Sequence, residues 1–158
     1  MNMFQSLKQN IFLLILLFTT VTACDSNRLF EENRVIPNKT WSAGNKVSFQ
    51  ATITDTALTY NVYLNIRNTL DYPYSNLFLF LQTTFPDGHK AKDTLECLLA
   101  DYDGRWLGSG VGSVKFNRFL LKKGVSFREK GVYWFELEQA MRVPELKGIE
   151  DVGLRIEK

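Results

Sequence analysis

From Lys46 onward the chain alternates apolar and polar residues with a period of two. Val47, Phe49, Ala51 and Ile53 alternate with Ser48, Gln50, Thr52 and Thr54. Tyr60, Val62, Leu64 and Ile66 then alternate with Asn61, Tyr63, Asn65 and Arg67. Side chains along a strand point to opposite faces in turn, so each segment predicts a half-buried strand. Asp55 to Thr59 joins the two as a turn. After a polar loop from Asn68 to Asn76, Leu77-Phe78-Leu79-Phe80-Leu81 is apolar on both faces, which predicts a strand covered on both sides. In a two-layer domain the second cover must come from a loop, the N-terminal segment or a partner. Phe85-Pro86-Asp87-Gly88 is a turn sequence. Lys90 to Leu98 alternates again, with Ala91, Leu95 and Cys97 on one face, so 77–98 reads as a hairpin.

The second half continues in the same way. Asp101 to Gly112 is a glycine-rich loop around Trp106-Leu107. Val114, Phe116 and Phe119 to Leu121 predict another strand, broken at Gly124 and followed by a short extended piece, Val125 to Phe127. Gly131 opens a strand to Met141, with Tyr133, Phe135 and Leu137 opposite Val132, Trp134, Glu136 and Glu138. Pro144 ends it, leaving room for about one helical turn up to Gly148. Val152, Leu154 and Ile156 form a short last strand. The expectation is an all-β fold: one antiparallel β-sandwich of seven to eight strands over 46–158. An open β-barrel is the second choice.

The N-terminus follows a different pattern. Ile11 to Phe18 is unbroken apolar sequence, preceded by a polar stretch whose only charge is Lys8 and followed by Val21-Thr22-Ala23-Cys24. A charged start, a short apolar core and small residues make a cleaved secretory signal peptide over 1–23. The cysteine after Ala23 makes it a lipoprotein signal, with the Cys24 thiol as the lipidation site. The apolar run falls short of the about 20 residues a membrane helix needs. One acyl chain binds a bilayer only marginally, whereas two or three hold it firmly. The expected product is therefore anchored through Cys24 on the extracytoplasmic side of an envelope membrane, the outer membrane favoured over the inner. Residues 24–45 read as an acylated tether and approach to the domain, with Asp25 to Asn33 poorly packed.

Charge and composition narrow the function. Removing 1–23 leaves 18 basic against 17 acidic side chains, which does not suit a nucleic-acid binder. With Cys24 acylated, Cys97 has no disulfide partner and reads as a small buried hydrophobe. His89, the only histidine, cannot make a metal site alone. Asp101-x-Asp103-Gly104 begins like a calcium loop but lacks its later ligands. Gly108-x-Gly110-x-Gly112 lacks the following helix of a phosphate cradle, which favours a bulge or a close backbone approach. Glu136 and Glu138 would share a strand face at about 7 Å, a spacing also seen on solvated faces. No nucleophile, base and acid can be assembled. The reading is a non-enzyme with no cofactor, no metal and no small-molecule substrate.

Two binding possibilities stay open. Trp41, Trp106 and Trp134 with Tyr72 and Tyr74 could form a sugar-stacking platform, which is the alternative function: an envelope glycan-binding module. Lys115, Arg118, Lys122, Lys123, Arg128 and Lys130 against Glu129 give residues 115–130 a net charge of +5. That suits anionic lipid headgroups, an acidic partner or a lysine-protected edge strand.

Several stretches together resemble a known family. They are Cys24-Asp25-Ser26-Asn27-Arg28, Leu64-Asn65-Ile66-Arg67-Asn68-Thr69 and Asp71-Tyr72-Pro73-Tyr74-Ser75-Asn76-Leu77. Further on come Phe85-Pro86-Asp87-Gly88, Asp93-Thr94-Leu95-Glu96, Gly104-Arg105-Trp106-Leu107-Gly108 and Gln139-Ala140-Met141-Arg142. The last is Gly148-Ile149-Glu150-Asp151-Val152-Gly153-Leu154-Arg155-Ile156. On these the chain resembles the gliding-motility lipoprotein GldH family of gliding Bacteroidetes. The resemblance implies an envelope lipoprotein needed for gliding, in machinery that overlaps with export of surface adhesins. It implies protein partners there, and it transfers one site only, the lipidation position Cys24. The loops 71–76 and 101–112 carry the expected partner surface, with Tyr72, Tyr74 and Trp106 as its anchors.

Overall fold

The alternating segments fold as strands. The computed structural model describes residues 25–158, so the leader 1–23 and Cys24 lie outside the described residues. Ten strands follow in order: β1 Arg28–Val35, β2 Thr40–Ser42, β3 Val47–Ile53, β4 Tyr60–Thr69, β5 Asn76–Thr84, β6 Lys90–Leu98, β7 Val114–Val125, β8 Gly131–Gln139, β9 Glu145–Lys147 and β10 Ile149–Glu157. One 3-10 turn, Pro37–Lys39, is the sole helical element among the described residues. The strands make one four-stranded sheet in the order β1-β10-β4-β7, another in the order β3-β8-β5-β6, and a β2-β9 ribbon. Every strand ladder is antiparallel. The fold is an all-β antiparallel sandwich, and the described residues close no barrel.

The inward halves of the alternating segments make one core. Phe49, Ala51 and Ile53 of β3 meet Leu77, Leu79 and Leu81 of β5 and Tyr133, Phe135 and Leu137 of β8. Val62, Leu64 and Ile66 of β4 and Val152, Leu154 and Ile156 of β10 join the same buried cluster from the other sheet. Each of the Val, Leu, Ile and Phe side chains among them contributes about 1.5–3 kcal/mol on burial, so the sheet-to-sheet contact dominates stability.

Four expectations change. The segment 25–33, expected to be poorly packed, supplies most of β1, which pairs with β10 from Arg28 to Val35. Its side chains lack alternation because it is an edge strand whose charged residues bond across the sheet surface. Pro144 to Gly148 is not a helical turn: Glu145–Lys147 pairs with Thr40–Ser42 as a three-residue ribbon. The last strand is not short. β10 runs nine residues between β1 and β4, and Asp151 to Ile156 are all buried. Finally, Gly124 does not end β7, which runs twelve residues, but with φ +61 it sits at a shift in register against β4.

The doubly apolar β5 finds its second cover within the chain. Leu77, Leu79 and Leu81 face the core, while Phe78 and Phe80 are half-buried on the outer face. The Lys92 ammonium lies 4.1 Å from the centre of the Phe80 ring, a favourable cation–π placement. The Phe78 N–H donates to Met141 Sδ at 3.3 Å.

The sandwich has two distinct ends. β1 begins at Arg28 opposite Glu157 and finishes at Val35 opposite Asp151. Glu157 faces Asn61, and Tyr60 faces Val125. One end, here called proximal, thus gathers residue 25, the start of β4 and the β7–β8 loop. The distal end gathers Val35, 70–75, 99–113 and 140–148. The eight residues of β1 separate the two ends by about 25 Å.

Candidate functional site

Exposed apolar side chains concentrate at the distal end. Ten large hydrophobic residues are exposed among the described residues. Seven of them, Val35, Leu70, Tyr74, Leu98, Tyr102, Leu107 and Val111, lie there. Tyr102 and Val111 are almost wholly in solvent. Large apolar residues gathered in one region of a surface mark an interaction site more than isolated ones do.

The three expected anchors meet, but they do not play equal parts. Tyr72 is 4% exposed and belongs to the core. It is therefore no surface anchor, a correction to the sequence reading. Its hydroxyl donates to the Asn76 carbonyl at 2.8 Å. Burial pushes the Tyr72 phenol well above its usual range, with Tyr74 and Cys97 adding to it. The Tyr74 ring stands edge-on to it at 5.8 Å, and Trp106 is tilted against it at 6.5 Å. Tyr72 is the pedestal; Tyr74 and the partly buried Trp106 lean on it from outside.

Glycines let this cluster close. Gly148 has φ +90, and a Cβ there would stand 2.7 Å from Tyr72 Cα. Its N–H donates to the Lys39 carbonyl and its carbonyl accepts from Thr69 N–H, both at 2.8 Å. Gly108 lies against the Asn117 side chain, which a Cβ would approach to 2.7 Å. Close backbone approach is thus the use of at least one glycine in the 108–112 run.

The 101–112 loop is ordered by its own acid. Asp101 Oδ1 accepts from the backbone N–H groups of Asp103 and Arg105, at 3.0 and 2.9 Å. Asp101 Oδ2 takes the Arg105 guanidinium at 2.9 Å. This carboxylate is committed to turn formation, the role Asp commonly has in such loops. Trp106 is then fixed by a bridge to Ala100 and by Leu107 N–H donating to the Leu99 carbonyl at 2.9 Å.

A shallow apolar pocket beside Tyr74 was not foreseen. Tyr74, Phe78, Ala140, Met141, Arg142 and Val143 line a cavity of about 450 Å³. Gln139 shapes it: its amide nitrogen donates to the Val143 carbonyl at 2.9 Å, and its Oε1 accepts from Met141 N–H at 2.8 Å. The only sequence signal was the polar Gln139 at a position that the strand's alternation assigns to the core.

Other candidates separate in space. Trp41 is fully buried, with its indole N–H donating to the Asn45 carbonyl at 2.7 Å. Trp134 is 45% exposed on the outer face of β8. The five aromatics considered for stacking a sugar therefore share no platform. Glu136 accepts from Gln82 and lies 3.7 Å from Lys46, as part of a solvated cross-strand network. The basic stretch 115–130 splits up: Arg118 pairs with Glu31 at 2.9 Å and Lys122 with Asp93 at 3.1 Å. Cys97 is 1% exposed, and burial, with Glu96 adding, pushes its thiol up to about 12.

The family described as GldH lipoprotein matches residues 28–156. The chain is 38% identical over 156 residues to the "Gliding motility lipoprotein GldH homolog" of Christiangramia forsetii, covering 94% of this chain and 95% of that one. It is 34% identical over 153 residues to "Gliding motility lipoprotein GldH" of Flavobacterium johnsoniae, covering 92% and 94%. Among solved structures, a chain from "Structure of infectious bursal disease virus Gx strain" aligns with 84% of this chain at 11% identity and a TM-score of 0.33. That alignment takes in 30% of the viral chain, and likeness so loose carries no argument.

Proposed function

Because the chain belongs to the GldH lipoprotein family, we propose that it is a non-enzymatic interaction component of gliding machinery, anchored by acyl groups on Cys24. The observation that carries this reading is the polarity of the sandwich. The described chain begins at Asp25, one bond from Cys24, at the proximal end. The exposed aromatic and aliphatic side chains lie about 25 Å away, at the other end. An anchored domain built this way rests its proximal end towards the membrane and offers its distal end to envelope proteins.

Tyr74, Trp106 and Met141 are the expected contact residues. They are rigidly backed by Tyr72 and by Asp101, and rigid aromatics lose little entropy on binding. The partners belong to the gliding apparatus and the linked export of surface adhesins, with the outer membrane as the favoured location. The mechanism is scaffolding, with binding at one end and anchorage at the other.

The test is complementation in the native host. A strain lacking the gene is given the wild-type chain, Cys24→Ala or Tyr74→Ala/Met141→Glu, and cells are filmed on wet glass. The reading expects gliding only with wild type, while all three chains accumulate to similar levels. Normal gliding with the distal double variant would overturn the assignment of that surface. Normal gliding with Cys24→Ala would overturn the anchor.

A further inference from the structure

We propose that the cleft between β6 and β7 at the proximal end holds one acyl chain of an anionic phospholipid. That this end faces a membrane rests on the anchoring at Cys24 proposed above. The fit of the cleft to a lipid does not.

β6 and β7 are edge strands of opposite sheets, so no backbone ladder joins them. The ion pair of Lys122 and Asp93, 3.1 Å apart, bridges the gap. Beside it opens a cavity of about 450 Å³, within the range of small-ligand sites. Leu81 and Phe135 wall it from one sheet, Val62 and Leu121 from the other. Phe127 closes its back against Tyr133, with ring centres 4.8 Å apart. The Tyr133 hydroxyl is already used, donating to the Glu129 carbonyl at 3.0 Å, which pins the loop over the cleft.

The chemistry of the lining selects the ligand class. The buried lining residues are Val62, Leu81, Phe127, Tyr133 and Phe135. None offers an unused polar atom to the interior. A sugar or nucleotide placed there would bury unpaired donors and acceptors, at about 1–3 kcal/mol each. An acyl chain has none to bury. The polar groups stand at the mouth. Lys90, Lys123, Arg128 and Lys130 lie at this end with no carboxylate in ion-pair range among the described residues. In the lining itself Lys122 and Arg128 stand against Asp87 and Glu129; with Asp55, the unpaired acids at this end are three against four cations, an excess of one carried by the surrounding lysines, which suits a phosphate headgroup.

The experiment uses the unlipidated chain from residue 24, with Cys24→Ser. All ten strands and the core lie in 25–158, so the fold is retained. Palmitoyl lysophosphatidylglycerol, below its micellar concentration, is titrated by calorimetry and native mass spectrometry. The expected result is saturable one-to-one binding, several-fold weaker for palmitoyl lysophosphatidylcholine and absent for glycerol phosphate. Leu121→Trp and Ala91→Leu, which fill the cleft, should each weaken binding at least tenfold in chains whose melting is unchanged. Arg128→Glu/Lys123→Glu should remove the headgroup preference and keep the chain-dependent binding.

No saturable binding, or binding indifferent to both filling variants, overturns the proposal. So does a natively lipidated chain that refuses the probe while the unlipidated one takes it, because the occupant is then its own anchor. Mass spectrometry of the lipidated state at Cys24 decides the anchoring separately. A chain that binds the probe but carries no acyl group at Cys24 keeps this inference and loses that one.

Discussion

The Arg155 guanidinium, on the central strand β10, binds the carboxylate of Asp25, the first residue the structure describes. The same guanidinium bonds Glu31 and Glu157, and Arg155 is 7% exposed. Burial works against its charge, and the three carboxylates more than offset that. The segment after Cys24 is therefore fastened to the centre of a sheet. Arg155→Ala would strip Asp25 and Glu157 of this cation and leave Glu31 to Arg118 and Arg28. Its carboxylate partners are partly exposed, so losing these charge-assisted bonds should cost about 1.5–3 kcal/mol, seen as a lower urea midpoint. Arg155→Lys, which cannot span three acids with a planar fork, should recover only part of it.

The same cluster sets an acid limit. Arg155 holds the Asp25 carboxyl below its ordinary value of 3.8. For Glu31, burial raises the carboxyl, and Arg155 and Arg118 together bring it below 4.5. A carboxyl depressed on folding contributes stability that is whole above its unfolded value and is lost as pH falls through the folded one. The urea midpoint should thus hold down to about pH 4.5 and fall below it. In Arg155→Ala the midpoint should start lower and depend less on pH in that window. An equally steep acid fall in that variant would assign the effect to other carboxylates.

What could be read from the chain follows from where each signal resides. β3, β4, β6 and β8 were legible because inward and outward residues alternate, and that pattern is local. β1 was not, since Glu31 and Asn33 become strand residues only against Arg155 and Asn65, far along the chain. β10 looked short because Asp151 and Arg155 interrupt its apolar run. Arg67 pairs with Asp151 through Oδ2 only, leaving buried Oδ1 without a partner, and the carboxylates around Arg155 neutralise it; both charges are thus held inside the strand. The ribbon β2–β9 has three residues a side and pairs across a hundred positions. At the distal site the aromatics were visible, but which one is buried rests on contacts far along the chain, such as Gly148 lying against Tyr72.

Tyr72 and Tyr74 should therefore behave oppositely. Tyr72→Ala empties a core position and should cost about 3–5 kcal/mol. Tyr72→Phe keeps the ring and strips the donor from the Asn76 carbonyl, costing about 1–2 kcal/mol. Tyr74→Ala removes a ring that is 36% exposed but stands edge-on to Tyr72, and should cost only about 1 kcal/mol. Equal destabilisation by the two alanine variants would contradict the pedestal arrangement.

Gly148→Ala tests the backbone contact beneath that pedestal. Two costs add there: the positive φ of +90 and the 2.7 Å approach to Tyr72 Cα. Gly44→Ala is the control, with φ +78 and nothing within 4 Å of the new Cβ. The control should lose about 1 kcal/mol from backbone strain alone. Gly148→Ala should lose at least twice as much, and Tyr74 and Trp106 fluorescence should change with it. Equal losses would mean that the loop shifts freely around Tyr72.

Cys97 should be chemically silent until the fold opens. Reactivity needs thiolate and access, and here burial holds the thiol protonated with its value pushed up to about 12. At pH 8 an aromatic disulfide reagent should modify the Cys24→Ser chain at the rate of opening, and at once in denaturant. Arg155→Ala, by lowering stability, should speed that modification by the factor that its loss of unfolding free energy implies when opening is global. A rate unaffected by Arg155→Ala would instead show that Cys97 is reached by a local opening of the β5–β6 edge.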